Sequence, residues 1–282
     1  MIIANTIKEL TNHIETAKRN NKIIGFVPTM GALHDGHLSL ITKAKKESDF
    51  VVVSIFVNPT QFNNRSDFER YPRLYDKDIQ LLDNSALCDL LFMPNENEMY
   101  PQPDNRVFDL GYLENIMEGK YRTGHFQGVS KIVSKLLDVV KPDKAFFGKK
   151  DFQQLAVIKK IVKDLKYNVE IIGCEIIREQ NGLAMSSRNL LLTKEEFEKA
   201  AIIYQTLKKV PIWINQYTID EVKKLAEYNI NNVPPFKVEY IELVDSETLL
   251  PIQNIHFHKN IHCCVAVYCN EIRLIDNIEI KL

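Results

Sequence analysis

Cysteine is scarce in this sequence: five among 282 residues, an odd number with no paired spacing. Cys88, Cys174, Cys263, Cys264 and Cys269 stand mostly in apolar, strand-like segments. That excludes a disulfide framework and leaves reduced core thiols of a cytosolic protein as the expectation. Net charge is nearly absent, 36 basic against 37 acidic residues, so there is no electrostatic footprint for nucleic acid or an acidic membrane. No apolar run approaches the length of a bilayer span. The first residues, Met1 to Asn5, lack a basic flank before a hydrophobic region, so no secretory signal is expected and the expected compartment is the cytoplasm. Internal repeats and low-complexity tracts are missing as well. So is the P-loop pattern, which argues against the usual kinase or ATPase architecture. What is there is ordinary globular material, 45% apolar and 26% charged. Its length fits two domains of unequal size.

The chain is organised around residues 23–37. Residues 23–27 read as a short buried strand that Pro28 is expected to stop, since proline cannot donate to a ladder. Gly31 and Gly36 bracket a turn, and Leu38, Ile41 and Ala44 recur at helical spacing, so a helix is predicted to begin near Gly36. His34 and His37 sit three apart and can share one side of its first turn. A helix N-terminus with imidazoles suits a phosphate, through free N–H groups, partial positive charge and titratable donors. The alternatives are an ordinary glycine turn, or a metal site using Asp35 between the histidines. No third and fourth ligand follows at a recognisable spacing.

An amphipathic helix is predicted over residues 6–20, and a wholly apolar, β-branched strand over 50–57 suits a central parallel position. Asn58 and Gln61 follow it, where open α/β sheets read ligands, although such amides equally cap turns. Residues 76–82 read as helix and 87–93 as strand, and 94–104 as a surface loop without periodicity. Arg122 and His125 precede a helix with Val129, Ile132, Val133, Leu136 and Leu137 inward, as ligand groups or as loop charge. Residues 144–148 form a predicted strand ending in Gly148, and Lys149, Lys150 and Asp151 open a helix burying Leu155, Ile158 and Ile161. Glycine followed by lysines at such a junction can neutralise phosphates. Residues 169–177 read as the last strand of this domain. Alternating strands and helices predict an α/β fold, a Rossmann-like, doubly wound parallel sheet over residues 1–177.

Asn181-Gly182 signals a tight turn. Met185, Ser186, Ser187 and Arg188 beyond it are either a solvated loop or hydroxyls and a guanidinium suited to triphosphate oxygens. Thr193 and Glu196 make a capping box. Helices are predicted over 193–208 and 219–229, then strands over 237–244, 262–269 and 272–280, giving a smaller α+β domain over 178–282. His256, His258 and His262 have no acidic or cysteine partner at a matching interval and read as edge and turn residues.

The HxGH pattern resembles the signature of the adenylate-forming nucleotidyltransferase superfamily, and four blocks in order resemble the pantothenate synthetase (pantoate–β-alanine ligase) family. They are PTMGALHDGH at 28–37, VSIFVNPTQF at 53–62, FFGKKDFQQL at 146–155 and GLAMSSRN at 182–189, supported by YPR at 71–73 and GHFQGV at 124–129. The resemblance covers the first domain and the hinge, and is weak over the last eighty or so residues. It implies an ATP site of Met30, Gly31, Ala32, Leu33, His34, Asp35, Gly36, His37, Gly148, Lys149, Lys150, Asp151, Ile177, Met185, Ser186, Ser187 and Arg188. Within it, His37, His34, Lys150 and Arg188 would be catalytic, and Ile177 would meet adenine through its backbone. Gln61, Gln154, Asn58, Arg122 and His125 would lie on the pantoate side. It further implies ATP with Mg2+, β-alanine as second substrate, AMP and pyrophosphate as products, a C-terminal lid and a homodimer. Asn181 stands where the family commonly has aspartate, Thr123 where proline is frequent, and Asn63-Asn64-Arg65 where a Gly-Pro type loop is usual. These are turn positions.

Two other readings compete. A nucleotidyltransferase joining a nucleotide to a phosphorylated acceptor also uses HxGH, but needs a second phosphate site. A nucleotide-sensing module would bind ATP without turnover, and both histidines, Lys150 and Arg188 standing together argue against it.

Overall fold

The computed structural model describes residues 1–281, which divide into two compact units, residues 1–149 with 153–175, and residues 150–152 with those from 176 on. The first unit is a six-stranded, all-parallel sheet in the order β1-β4-β3-β2-β5-β6, formed by β1 (Ile2–Ala4), β2 (Ile24–Thr29), β3 (Phe50–Ile55), β4 (Leu90–Phe92), β5 (Lys144–Gly148) and β6 (Glu170–Cys174). Between them run α1 (Ile7–Arg19), α2 (Asp35–Glu47), α3 (Arg65–Arg70), α4 (Tyr75–Ser85), α5 (Glu96–Met99), α6 (Met117–Tyr121), α7 (His125–Val140) and α8 (Phe152–Asp164). The chain leaves β2 in one direction to β3 and later returns to its other side as β5. The carboxyl end of β2 is therefore the topological switch point, where such sheets gather ligands. Val27, Val51, Val53, Ile55, Leu91 and Phe146 fill one sheet face under Ile41 and Ala44 of α2 and Leu82 of α4. Thr6 and Glu9 form a capping box that starts α1.

Two expectations are corrected here, and one strand is added. Pro28 does not stop β2 but pairs with Ser54 inside it. Ile24 exchanges bonds with Asp143 on the β5 side, and alternate residues share that direction, so the Pro28 nitrogen faces β5 as well. The β2–β5 pairing ends at Phe26–Ala145, so no donor is needed there. The loop over 94–104 contains α5, capped by Asn95 accepting from the Glu98 N–H at 2.8 Å. The edge strand β1 went unforeseen, since three residues are too short for a period-2 pattern.

The second unit carries an antiparallel sheet of order β7-β8-β9, formed by β7 (Phe236–Asp245), β8 (Asn260–Cys269) and β9 (Ile272–Lys281). Its helices are α9 (Lys194–Lys199), α10 (Ala201–Leu207), α11 (Val210–Trp213) and α12 (Ile219–Asn231). The helix expected over 193–208 is two helices meeting at the buried Ala200. Ile261, Cys263, Val265, Val267 and Cys269 alternate along β8 toward Ile203, Leu207, Val222, Ala226 and Ile230. His262 is no edge residue. It lies buried on the central strand, its ring stacked on Phe152 at 3.9 Å. All five cysteines are free and buried, and burial pushes the thiols of Cys88 and Cys263 up to about 12. Among the described residues, no helix is long and apolar enough to cross a membrane.

Candidate active site

The turn after β2 is held from beneath by two buried groups. Thr29 donates its hydroxyl to the Ser54 carbonyl at 2.8 Å and accepts the Gly31 N–H at 3.2 Å. Asp78 of α4 accepts the N–H groups of Ala32 at 2.8 Å and Leu33 at 2.7 Å. Burial raises its pKa, and those two amides oppose the rise. Gly31 has φ +79°, and a Cβ there would stand 2.9 Å from Ile55 Cγ2, so both conformation and space call for glycine. Ala32 follows at φ 49°. Asp78 was missed because nothing local points to it. The one available signal is a carboxylate four residues before Leu82, on the inward stripe of its helix.

His34 is itself the N-cap of α2. Its Nδ1 accepts the Gly36 N–H at 3.1 Å, which puts the proton of the neutral ring on Nε2 as a donor. Its carbonyl takes the His37 N–H at 2.8 Å. The imidazoles, rather than these two amides, are therefore the groups offered to an anion. The His34 and His37 rings lie side by side, centroids 4.1 Å apart. Asp35 between them is exposed.

Beyond β3, the Asn58–Gln61 turn is built as a polar network whose amide directions can be deduced. Asn58 Nδ2 meets the Gly128 carbonyl at 3.2 Å, and a carbonyl can only accept. Asn58 Oδ1 in turn accepts from Tyr100 Oη at 2.8 Å and Thr60 Oγ1 at 3.0 Å. Asn58 Nδ2 then donates to Gln61 Oε1 at 3.0 Å, so Gln61 must present its NH2. That NH2 meets Met30 Sδ at 3.0 Å, which joins the turn to the HxGH loop. From the end of α6, Arg122 donates to Nε2 of His125, the first residue of α7, at 3.1 Å, leaving the ring proton on Nδ1 for the Gln61 carbonyl at 2.7 Å. Glu118 accepts from Arg122 at 3.4 Å. Asn58, Arg122 and His125 thus converge on Gln61. Gln154 is half-buried on α8, while its neighbour Gln153 is buried and bonded to Glu118 N and the Leu113 and Ile116 carbonyls. Tyr100 and Gln153 carry no sequence signal beyond polarity.

The two lysines after Gly148 differ. Lys149 pairs with Glu175 in the first unit. Lys150 belongs to the second unit, with a side chain 18% exposed and its Nζ 3.6 Å from Asp151. In that unit the Ile177 carbonyl accepts the Met185 N–H at 3.0 Å, and between them a tight turn is closed by the Gly182 N–H on the Glu179 carbonyl at 2.9 Å, with Gly182 at φ +96°. Ser186 caps the short helix Ser187–Leu191 by accepting the Arg188 N–H at 3.3 Å, with Ser187 buried and Arg188 half-buried. Among the described residues, no three His, Cys, Asp or Glu side chains are grouped to hold a metal ion.

The pantoate-beta-alanine ligase family model matches residues 2–279. Pantothenate synthetase of Bacteroides thetaiotaomicron is 46% identical over 281 residues, spanning 100% of this chain and 99% of that protein. Its counterpart in Porphyromonas gingivalis is 48% identical over 279 residues, with 99% of each covered. The crystal structure of pantothenate synthetase from Thermus thermophilus superposes with TM-score 0.93 at 40% identity over the full length of both chains. The pantoate-beta-alanine ligase of Francisella tularensis, complexed with beta-gamma ATP and beta-alanine, gives 0.83 at 40% identity over 99% of this chain and 97% of that one. With its parallel sheet, its HxGH helix start and a match along its whole length, this chain belongs to the pantoate–β-alanine ligase family.

Proposed function

We propose that the chain condenses pantoate with β-alanine through a pantoyl adenylate. A carboxylate oxygen of pantoate attacks the α-phosphorus of ATP, the bond to the β-phosphate oxygen breaks, and pyrophosphate leaves. The free amine of β-alanine then attacks the acyl carbon, AMP departs with the electron pair of the broken bond, and the amine gives up a proton. The observation that carries this reading is the linkage of two donor sets. The paired imidazoles at the start of α2 suit phosphates, and Met30 of the same loop meets the NH2 of Gln61, which suits a carboxylate or hydroxyl oxygen.

In this reading His34 and His37 donate to the phosphates, with His37 the catalytic acid. Met30, Gly31, Ala32, Leu33, Asp35 and Gly36 line the nucleotide, with Gly148, Lys149, Asp151, Ile177, Met185, Ser186 and Ser187. Lys150 and Arg188 bring positive charge to the charge that builds on the departing phosphates, the term that dominates such transfers. Gln61 and Gln154 read pantoate, and Asn58, Arg122 and His125 hold Gln61. The ligands of the Francisella protein support ATP and β-alanine as substrates. In this reading magnesium enters with the triphosphate, as the metal–nucleotide substrate complex.

The test uses ATP, magnesium, pantoate and labelled pyrophosphate without β-alanine. Label should enter ATP, because adenylate formation is complete before the amine is needed and is reversible. Exchange without pantoate, or ADP as the product of the full reaction, would overturn the reading. Exchange only with a phosphorylated acceptor would assign the nucleotide-joining alternative instead.

A further inference from the structure

Lys150, Asp151 and Phe152 follow β5 of the first unit in the chain but belong to the second unit. Two side chains of the antiparallel sheet hold them there. Asn277 Nδ2 donates to the Lys150 carbonyl at 3.0 Å, and the Phe152 ring stacks on His262 at 3.9 Å with 14° between planes. Asn277 pairs with Cys264 across β9 and β8, and His262 lies two residues from Cys264, so both grips come from one sheet face.

Asn277 is in turn fixed along its own backbone. Its N–H donates to Asp276 Oδ1 at 2.7 Å, and its carbonyl accepts from Arg178 Nη2 at 3.3 Å. Arg178 and Asp276 form a two-pronged pair at 2.6 and 3.0 Å, in which Asp276 is 1% exposed. Arg178 also donates to the Gly182 carbonyl at 3.2 Å, and its guanidinium lies 3.6 Å over the Tyr204 ring. A planar guanidinium held on five sides has little freedom, and Asn277 inherits that rigidity.

We propose that Asn277 is a positioning residue for Lys150, fixing the backbone from which the lysine ammonium reaches the ATP phosphates. The proposal rests on the reading of Lys150 as a phosphate-binding residue. A plain sheet-stabilising role for Asn277 makes a different prediction, because it would act on folding whether or not Lys150 carries its ammonium.

A double-mutant cycle separates the two. MgATP affinity is measured by calorimetry, and thermal midpoint alongside it, for the wild type, Asn277→Asp, Lys150→Ala and the double variant. Asn277→Asp keeps the shape and removes the donor. It should weaken MgATP on the order of tenfold, as expected for loss of one buried hydrogen bond. On the Lys150→Ala background the same change should cost less than about twofold, the coupling of residues acting as one unit. Where Asn277→Asp does not fold, Asn277→Ala carries the same cycle. Asn277→Ser, which retains a small donor, should recover part of the affinity. Wild-type affinity in the single variant, or losses that multiply in the double variant, would overturn the proposal. Unchanged affinity in Lys150→Ala alone would remove the underlying reading of Lys150 and the proposal with it, and is distinguished because it needs no Asn277 variant.

Discussion

Gln61 illustrates how much of a residue's chemistry is decided by neighbours that never touch a ligand. An amide can face a substrate with its oxygen or its nitrogen, and the choice reverses what it recognises. Here the Gly128 carbonyl and the Tyr100 hydroxyl orient Asn58, and Asn58 orients Gln61 with its NH2 toward Met30 Sδ. Gln61→Glu keeps size and shape but puts a carboxylate oxygen where that NH2 stands, which would repel a pantoate carboxylate bound beside it. The KM for pantoate should rise by roughly 5- to 150-fold, the range for an unpaired or opposed buried polar group of about 1–3 kcal/mol. The KM for ATP should stay within about twofold. Steady-state kinetics with each substrate varied decides it, and a rise confined to ATP would mean that the two subsites are exchanged.

At the scale of elements, α7 owes its place to the absence of a side chain at Gly128. A Cβ there would lie 2.1 Å from the Thr60 carbonyl oxygen and 2.5 Å from Gln61 Cα, both backbone atoms that cannot turn aside. Helix propensity alone makes Gly→Ala in a helix worth about 1 kcal/mol of stabilisation. Overpacking of this kind costs about 1–3 kcal/mol, so Gly128→Ala should destabilise, and pantoate affinity should fall as the Gln61 turn is displaced. Urea midpoints and the pantoate KM measure the two effects. A more stable protein with unchanged kinetics would contradict the close approach. The same contact shows where sequence reading stops. β3 and β5 were legible because β-branched and apolar runs carry their own signal, and α7 because Val129, Ile132, Val133, Leu136 and Leu137 keep helical spacing. The HxGH helix start was legible from its glycines and histidines. Asp78 under the Ala32 turn, Tyr100 on Asn58 and Asn277 on Lys150 were not, since each acts across 42 to 127 residues of chain and leaves no local period. Pro28 misled because its local rule holds only where a ladder partner stands opposite, and β5 has already ended there.

For the whole molecule, the response to acid follows from which carboxylates folding favours as anions. Glu9, Glu196 and Glu221 each accept backbone N–H groups in capping boxes, and these bonds lower their pKa values. Asp104 is held well below the usual range by Arg106. Asp245 is lowered to about 2, chiefly by the Thr248 N–H and further by His258. A group whose folded pKa is depressed stabilises above its unfolded pKa, 3.8 for Asp and 4.5 for Glu, and that contribution is lost as pH falls toward the folded value. Asp78 and Asp276 act with the opposite sign. Burial raises both, so ionising them on the way up from acid weakens the fold. The depressed groups should make stability fall as pH drops from about 4.5 toward 2, while Asp78 and Asp276 work against that fall. Glu9→Gln, Glu196→Gln and Glu221→Gln together keep the caps, because glutamine serves at the same position, but remove their titration. In that triple variant the urea midpoint should fall less between pH 7 and pH 3.5 than in the wild type. An equal fall in both proteins would show that the acid response comes from Asp104, Asp245 and the remaining carboxylates, with the helix caps contributing nothing to it.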